Sequence, residues 1–288
     1  MSEAIRKYYV PHGSAWPIIG SVSLFLLAFG AGNWLNDGAI GRYMVYAGTA
    51  GLLYMVFGWF GEVIRESVSG IFGRREDSSF RQGMIWFIMS EVMFFAGFFG
   101  ALFYARQLAI PWLGGEGANI FTNLLLWSGF EPAWPTNGPG GLGGTFEPMP
   151  WKGLPLINTA LLLTSSVTIT IAHHALIDGN RKLLKWGLAA TFVLGFLFLG
   201  LQVEEYYEAY VHLNLKLSTG IYGSTFFMLT GFHGAHVTLG SIMLVVIWLR
   251  VLRGHFTPTH HFGFEAVAWY WHFVDVVWLG LFIFVYIL

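Results

Sequence analysis

Seven continuous apolar runs dominate this 288-residue chain. Each is close to or longer than the roughly 20 residues that a helix needs to cross the hydrocarbon core of a bilayer. They fall near residues 16–35, 43–64, 82–106, 155–176, 185–208, 219–249 and 263–288. A barrel strand would alternate apolar and polar residues. These runs do not alternate, so helices, which satisfy their own backbone, are expected. The run at 219–249 is long enough that its helix must tilt or reach past the bilayer. Charged residues are 11% of the chain and hydrophobic ones 55%. A water-facing domain carries about 25% charged residues, so lipid is the expected solvent. The predicted fold class is all-α, integral to a membrane, with seven transmembrane helices.

Lysine and arginine placement orients such a chain. Eleven of the fifteen, including Arg65, Arg74, Arg75, Arg81, Arg181 and Arg253, fall on one side with Arg6 and Lys7. Arg42, Arg106, Lys152 and Lys216 fall on the other. The amino terminus is therefore expected inside and the carboxyl terminus outside. Trp16, Trp34, Trp186 and Trp248 stand near run ends, where an interfacial belt would place them. The domain reading is an amino-terminal segment with two helices over 1–66, a cytoplasmic loop over 67–81 and a five-helix bundle over 82–288. An outer loop near 107–154 interrupts the bundle. It holds Gly138, Gly140, Gly141, Gly143 and Gly144, and is expected to lie on the surface, where it could pack on a partner. Residues 1–14 lack the apolar core of a cleavable signal peptide.

Several function classes drop out. A net charge of −1 gives no basic excess for nucleic acid. The absence of cysteine removes disulfides, thiolate nucleophiles, iron–sulfur ligation and cysteine zinc sites. There is no Gly-Lys-Ser/Thr phosphate loop and no Gly-x-Ser-x-Gly nucleophile elbow.

Ionisable groups inside the runs each need a partner or a role. Glu91 lies between Trp86 and Phe98 with Met93, Phe94 and Phe95 beside it. It reads either as a proton-active carboxyl or as a protonated one bonded to a neighbouring helix. Run seven carries Glu265, Trp269, His272 and Asp275 on one helical face. Run six carries His233 and His236, and run five carries Gln202, Glu205 and Glu208 with Glu204 adjacent. With Glu62 of run two, these are expected to form a buried polar network that holds helices together. The competing reading gives His233, His236 and His272 a metal or haem, since imidazole is the commonest metal ligand. His173, His174, His260 and His261 stand at helix ends and are expected to be solvated or interfacial. Gly48 and Gly51, Gly58 and Gly61, Gly97 and Gly100, and Gly231 and Gly234 are pairs three residues apart, spaced for close helix approach.

Seven segments together carry a resemblance: Trp16–Ser21 (WPIIGS), Glu62–Ser67 (EVIRES), Ile88–Phe99 (IMSEVMFFAGFF), Ala172–Leu176 (AHHAL), Gln202–Ala209 (QVEEYYEA), Gly231–Val237 (GFHGAHV) and His260–Leu279 (HHFGFEAVAWYWHFVDVVWL). From Trp16 to its end the chain resembles subunit III of the haem–copper cytochrome c oxidases, of the aa3 type. The resemblance implies a fold split as two plus five helices around a V-shaped cleft that holds phospholipid. It implies a chain without haem or copper, those lying in partner subunits. It also implies a subunit that packs on subunit I, alongside subunit II, and supports that subunit's stability and proton uptake. Glu91 matches the family's buried carboxyl, and Trp59, Glu66 and Arg250 match positions near lipid head groups. Arg250 suits a phosphate, and Glu66 could accept from an ethanolamine ammonium. The bland reading of these three is interfacial anchoring. The glycine-rich insertion near 138–144 and the segment Gly73–Arg81 depart from the mitochondrial pattern and point to a bacterial inner membrane over a mitochondrial one.

The nearest rival is the equivalent subunit of a quinol oxidase, against which the two amino-terminal runs argue. A metal- or haem-binding redox protein is the rival from another class. A retinal protein is disfavoured because run seven has no lysine and the amino terminus is expected inside. A transporter rests on composition alone.

Overall fold

The computed structural model describes residues 8–10 and 13–288, so Arg6, Lys7 and most of the amino-terminal segment lie outside the described residues. Among the described residues, seven helices are long and apolar enough to cross a membrane. They are α1 (Trp16–Leu35), α2 (Gly41–Ser69), α3 (Arg74–Leu113), α4 (Leu154–Ile177), α5 (Arg181–Val211), α6 (Gly220–Leu252) and α7 (Phe262–Ile287). The all-α, seven-span reading holds. At 33 residues, α6 is about 50 Å long, longer than a hydrocarbon core of about 30 Å.

The loop expected over 67–81 is much shorter. α2 runs on to Ser69 and α3 starts at Arg74. Gly70, at φ 69°, ends α2 in the left-handed conformation that glycine adopts without steric cost. Polar residues misled the reading here: Glu76 and Asp77 fill the acidic first turn that a helix start favours.

The chain divides into two compact units, residues 1–81 and 82–288. In the first unit α1 and α2 form a hairpin in which no large side chain is buried. Its buried positions are Gly20, Ser23 and Gly30 of α1, and Gly41 and Gly48 of α2. A Cβ at Gly48 would stand 2.7 Å from the Leu27 nitrogen, and one at Gly41 2.4 Å from the Trp34 nitrogen. The helices therefore meet backbone to backbone. Of the paired glycines, Gly48, Gly51 and Gly58 face α1, whereas Gly61, Gly97, Gly100 and Gly234 have no heavy atom near enough to be packing positions in the described chain. The Trp16 indole donates to Glu62 across the hairpin. Glu76 fastens the amino-terminal segment by accepting from the Tyr9 amide at 2.7 Å and the Gly73 amide at 2.9 Å.

In the second unit α4, α5, α6 and α7 close a ring, each packed on the next and α7 back on α4. The wholly buried Trp271 of α7 fills the centre. Its ring lies against Gly195 of α5 and Gly240 of α6, and its Nε1 donates to Ser165 of α4 at 2.9 Å. Two turns on, the Trp278 Nε1 donates to Thr159 at 2.9 Å. α3 joins the ring through long aromatic side chains, with Phe94 edge-on to Phe232 of α6 and Phe95 against Phe273 of α7. The 107–154 segment packs on its own chain: Asn214 Nδ2 donates to the Gly143 and Thr145 carbonyls, and Asn137 Nδ2 closes the glycine-rich turn onto Gly144.

Candidate functional site

Glu91 of α3 meets His236 of α6. Its Oε2 lies 2.8 Å from His236 Nε2. The other imidazole nitrogen, Nδ1, lies 2.6 Å from the Phe232 carbonyl one turn earlier. A carbonyl only accepts, so Nδ1 carries a hydrogen. A single further proton must then occupy the gap between Nε2 and Oε2, held by the carboxyl or by the ring. The rings of Phe94, Phe95, Tyr270 and Phe273 surround the imidazole. Of the two sequence readings of Glu91, the bonded one has its counterpart in this pair.

The other core histidines turn elsewhere. His233, fully buried, bonds the Val274 carbonyl of α7 at 3.1 Å. His272 of α7 meets Ser166 of α4 at 2.6 Å, with Thr170 at 3.4 Å. His233, His236 and His272 thus address three different helices and do not converge. Asp275 is buried. Asp275 shares a helical face with His272, whose bond goes to Ser166 of α4. Glu205 is buried and accepts from the Tyr286 hydroxyl, a partner the sequence did not suggest because it lies in the last turn of another helix. Glu204 is not part of the buried network. It is exposed, because one residue along a helix turns the side chain about 100° away from the Glu205 face. Glu62 is half-buried on Trp16.

At the end of the second unit where α4 finishes and α7 begins, Glu265 gathers two histidines. His173 Nε2 stands 3.6 Å and His261 Nε2 3.5 Å from its Oε1. The sequence placed these histidines at helix ends and gave them to solvent; the α4–α7 pairing brings them together. Arg250, at the end of α6, is buried, with its guanidinium 4.4 Å from the Phe256 ring centre. Its Nε and Nη2 find no hydrogen-bond partner among the described residues. In the following loop, burial and then the charges of Arg250 and Arg253 push His255 below the ordinary imidazole range.

In the first unit Trp59 is exposed, and Glu66 accepts from the Tyr9 hydroxyl at 3.0 Å. That bond, with burial and the charges of Glu66 and Glu62, raises the Tyr9 phenol above its usual value. Trp16 and Trp248 do more than line an interface. The Trp248 Nε1 donates to the Lys185 carbonyl at 3.1 Å, tying α6 to α5.

The family description "Cytochrome c oxidase subunit III" matches residues 6–288. Cytochrome c oxidase subunit 3 of Equus caballus is 41% identical over 287 residues, 99% of this chain and 98% of that protein. The subunit 3 of Squalus acanthias is 41% identical and that of Felis catus 42%, over the same shares.

Proposed function

The chain belongs to the cytochrome c oxidase subunit III family, and from that premise we propose that it is the non-redox subunit of an aa3-type oxidase. In this reading it packs on subunit I, holds phospholipid, and supports the stability and proton uptake of the oxygen-reducing core. Membership makes it a subunit of a terminal oxidase complex with other subunits as partners. Haem and copper would lie in those partners. The amino terminus would lie inside and the carboxyl terminus outside, in a bacterial or mitochondrial inner membrane.

The observation that supports the non-redox reading is the divergence of the core histidines. Each of His233, His236 and His272 is bonded to a different helix, through the Val274 carbonyl, Glu91 and Ser166. Imidazoles that share a metal must converge on one point. Complexes with and without this chain should therefore give the same haem spectrum and the same initial oxygen reduction, while turnover decays sooner without it. Loss of a haem signal in proportion to removal of this chain, with partner subunits folded, would sink the reading.

Arg250 supports the lipid part. A buried guanidinium with two nitrogens lacking partners suits a phosphate that arrives from outside the chain. Trp59 and Glu66 are proposed as head-group contacts of the first unit, Glu66 alongside its Tyr9 bond. Arg250→Ala should lower the phospholipid retained per chain after delipidating purification. Unchanged retention would remove Arg250 from the assignment.

A further inference from the structure

We propose that the short helix Gly117–Leu126, in the segment between α3 and α4, lies along the membrane surface with its apolar face in the lipid of one leaflet, as an in-plane element beside the seven spans.

The sequence of this stretch is closer to a membrane segment than to a loop. No charged residue stands between Glu116 and Glu131, and Ile120, Phe121, Leu124, Leu125 and Leu126 crowd its middle. A helix of this length spans about 15 Å, half of a hydrocarbon core of about 30 Å. The segment is apolar enough to enter lipid and too short to cross it.

Its packing is inverted relative to a helix on a water-facing surface. Asn119, Thr122 and Asn123 are half-buried against the chain. The Asn123 Nδ2 donates to the Leu113 carbonyl at 3.3 Å, at the end of α3, and to the Phe130 carbonyl at 3.2 Å, beyond the short helix. A Cβ at Gly115 would stand 3.1 Å from the Asn123 Cβ, and the φ of 92° at Gly115 is one that glycine adopts freely. The polar side is thus pinned to the chain. The opposite side carries the hydrocarbon. Phe121 is 68% and Leu125 76% exposed, and Ile120, Leu124 and Leu126 are exposed as well. In water an amphipathic helix turns its apolar side in. A polar side held inward and an apolar side held outward call for apolar surroundings.

Two observations make those surroundings lipid. The first is position. The short helix follows the spanning helix α3 after a tight turn, in which the Glu116 amide bonds back to the Pro111 carbonyl at 3.1 Å. Arg106 is the first basic residue after the apolar stretch of α3. Trp112 lies about 9 Å further along the axis, where a span passes through the head groups. Trp112 and Trp127 flank the short helix and are both exposed, and tryptophan concentrates at the boundary between lipid and water. The second is the chemistry of the face. Protein interfaces carry about one hydrogen bond per 100–200 Å² and draw on Tyr, Trp and Arg. The five outward side chains are hydrocarbon alone, with no donor or acceptor. No Lys or Arg stands between Arg106 and Lys152, so the face suits acyl chains and not anionic head groups. Helices of this kind sink about 5–10 Å into the boundary between head groups and acyl chains. The placement rests on α3 as a span and is independent of the oxidase reading.

The test uses the purified complex in phosphatidylcholine vesicles. The chain has no cysteine, so Phe121→Cys and Leu125→Cys each place one nitroxide on it, and the unsubstituted complex supplies the background from other subunits. Oxygen concentrates in lipid, and a water-soluble nickel chelate is kept out of it. Both labels should collide more with oxygen than with the chelate. Chelate excess at either position would mean that the helix faces water. Low collision with both reagents at either position would mean that a partner subunit covers it. Each of these results would overturn the proposal. The unsubstituted complex gives a second readout that needs no variant. A phospholipid bearing a carbene precursor on its acyl chain should, on irradiation, leave adducts on residues 117–127, located by mass spectrometry. A lack of adducts there would overturn the proposal equally.

Discussion

The two units of this chain are both helical and both apolar, yet they are held together in opposite ways. The α1–α2 hairpin buries only glycines and a serine, and its large residues, Phe25, Phe29, Phe57 and Trp59 among them, face outward. The α4–α7 ring buries Trp271, Trp278, Phe198 and Phe226 and ties them with indole and imidazole bonds. Lipid offers no hydrophobic drive for helices to associate, so packing and hydrogen bonds must supply it. A hairpin of two helices obtains its contact area by bringing backbones together. A ring of four has an interior that no single helix can fill, and large side chains fill it.

That contrast can be broken by single substitutions. Trp271→Ala should have the largest effect. It empties the centre of the ring and leaves Ser165 without its donor, for a loss of about 3–5 kcal/mol. Detergent or thermal unfolding followed by the near-ultraviolet signal of the bundle would register it. A small change there would mean that the ring collapses around the void and is not held by shape.

Gly48→Leu comes next. Its side chain would start 2.7 Å from the α1 backbone, and overpacking of that kind costs about 1–3 kcal/mol. The expected outcome is separation of α1 from α2, read as lost cross-linking between cysteines introduced at facing hairpin positions, with the bundle signal intact. Retained cross-linking would show that the hairpin does not depend on close backbone approach.

Glu91→Gln tests the polar bonds of the bundle with a smaller expected change. Glutamine can donate to His236 Nε2 as the neutral acid does, so the loss should stay under about 1 kcal/mol. Glu91→Ala, which strands the imidazole, should lose about 1–3 kcal/mol. If glutamine proves as damaging as alanine, the shared proton, and not the bond alone, is what the pair needs. Gly97→Ala should have the smallest effect on the folded chain. Its added methyl meets nothing within 4 Å, and alanine favours a helix by up to about 1 kcal/mol. A fall in assembly with the other subunits, with the chain's own stability unchanged, would identify this α3 face as a partner surface.

What the sequence determined by itself was most of what depends on one helix at a time. Run length and apolarity fixed seven spans, and periodicity placed Glu265, His272 and Asp275 on one face of α7. Depletion of charge fixed the solvent. Motif strings such as HHFGFEAVAWYWHFVDVVWL fixed the family. The sequence could not say which face meets which helix, because a side chain's partner across a bundle is set by the rotation and offset of two separate helices. Only the tertiary structure decided that His272 bonds Ser166 and not Asp275, that Glu205 takes the Tyr286 hydroxyl, and that Glu204 faces out. The same holds at the end of the second unit. His173 and His261 are 88 positions apart in the chain and read as unrelated helix ends. They come together because α4 and α7 pack side by side, which puts both imidazoles within 3.6 Å of the Glu265 carboxylate.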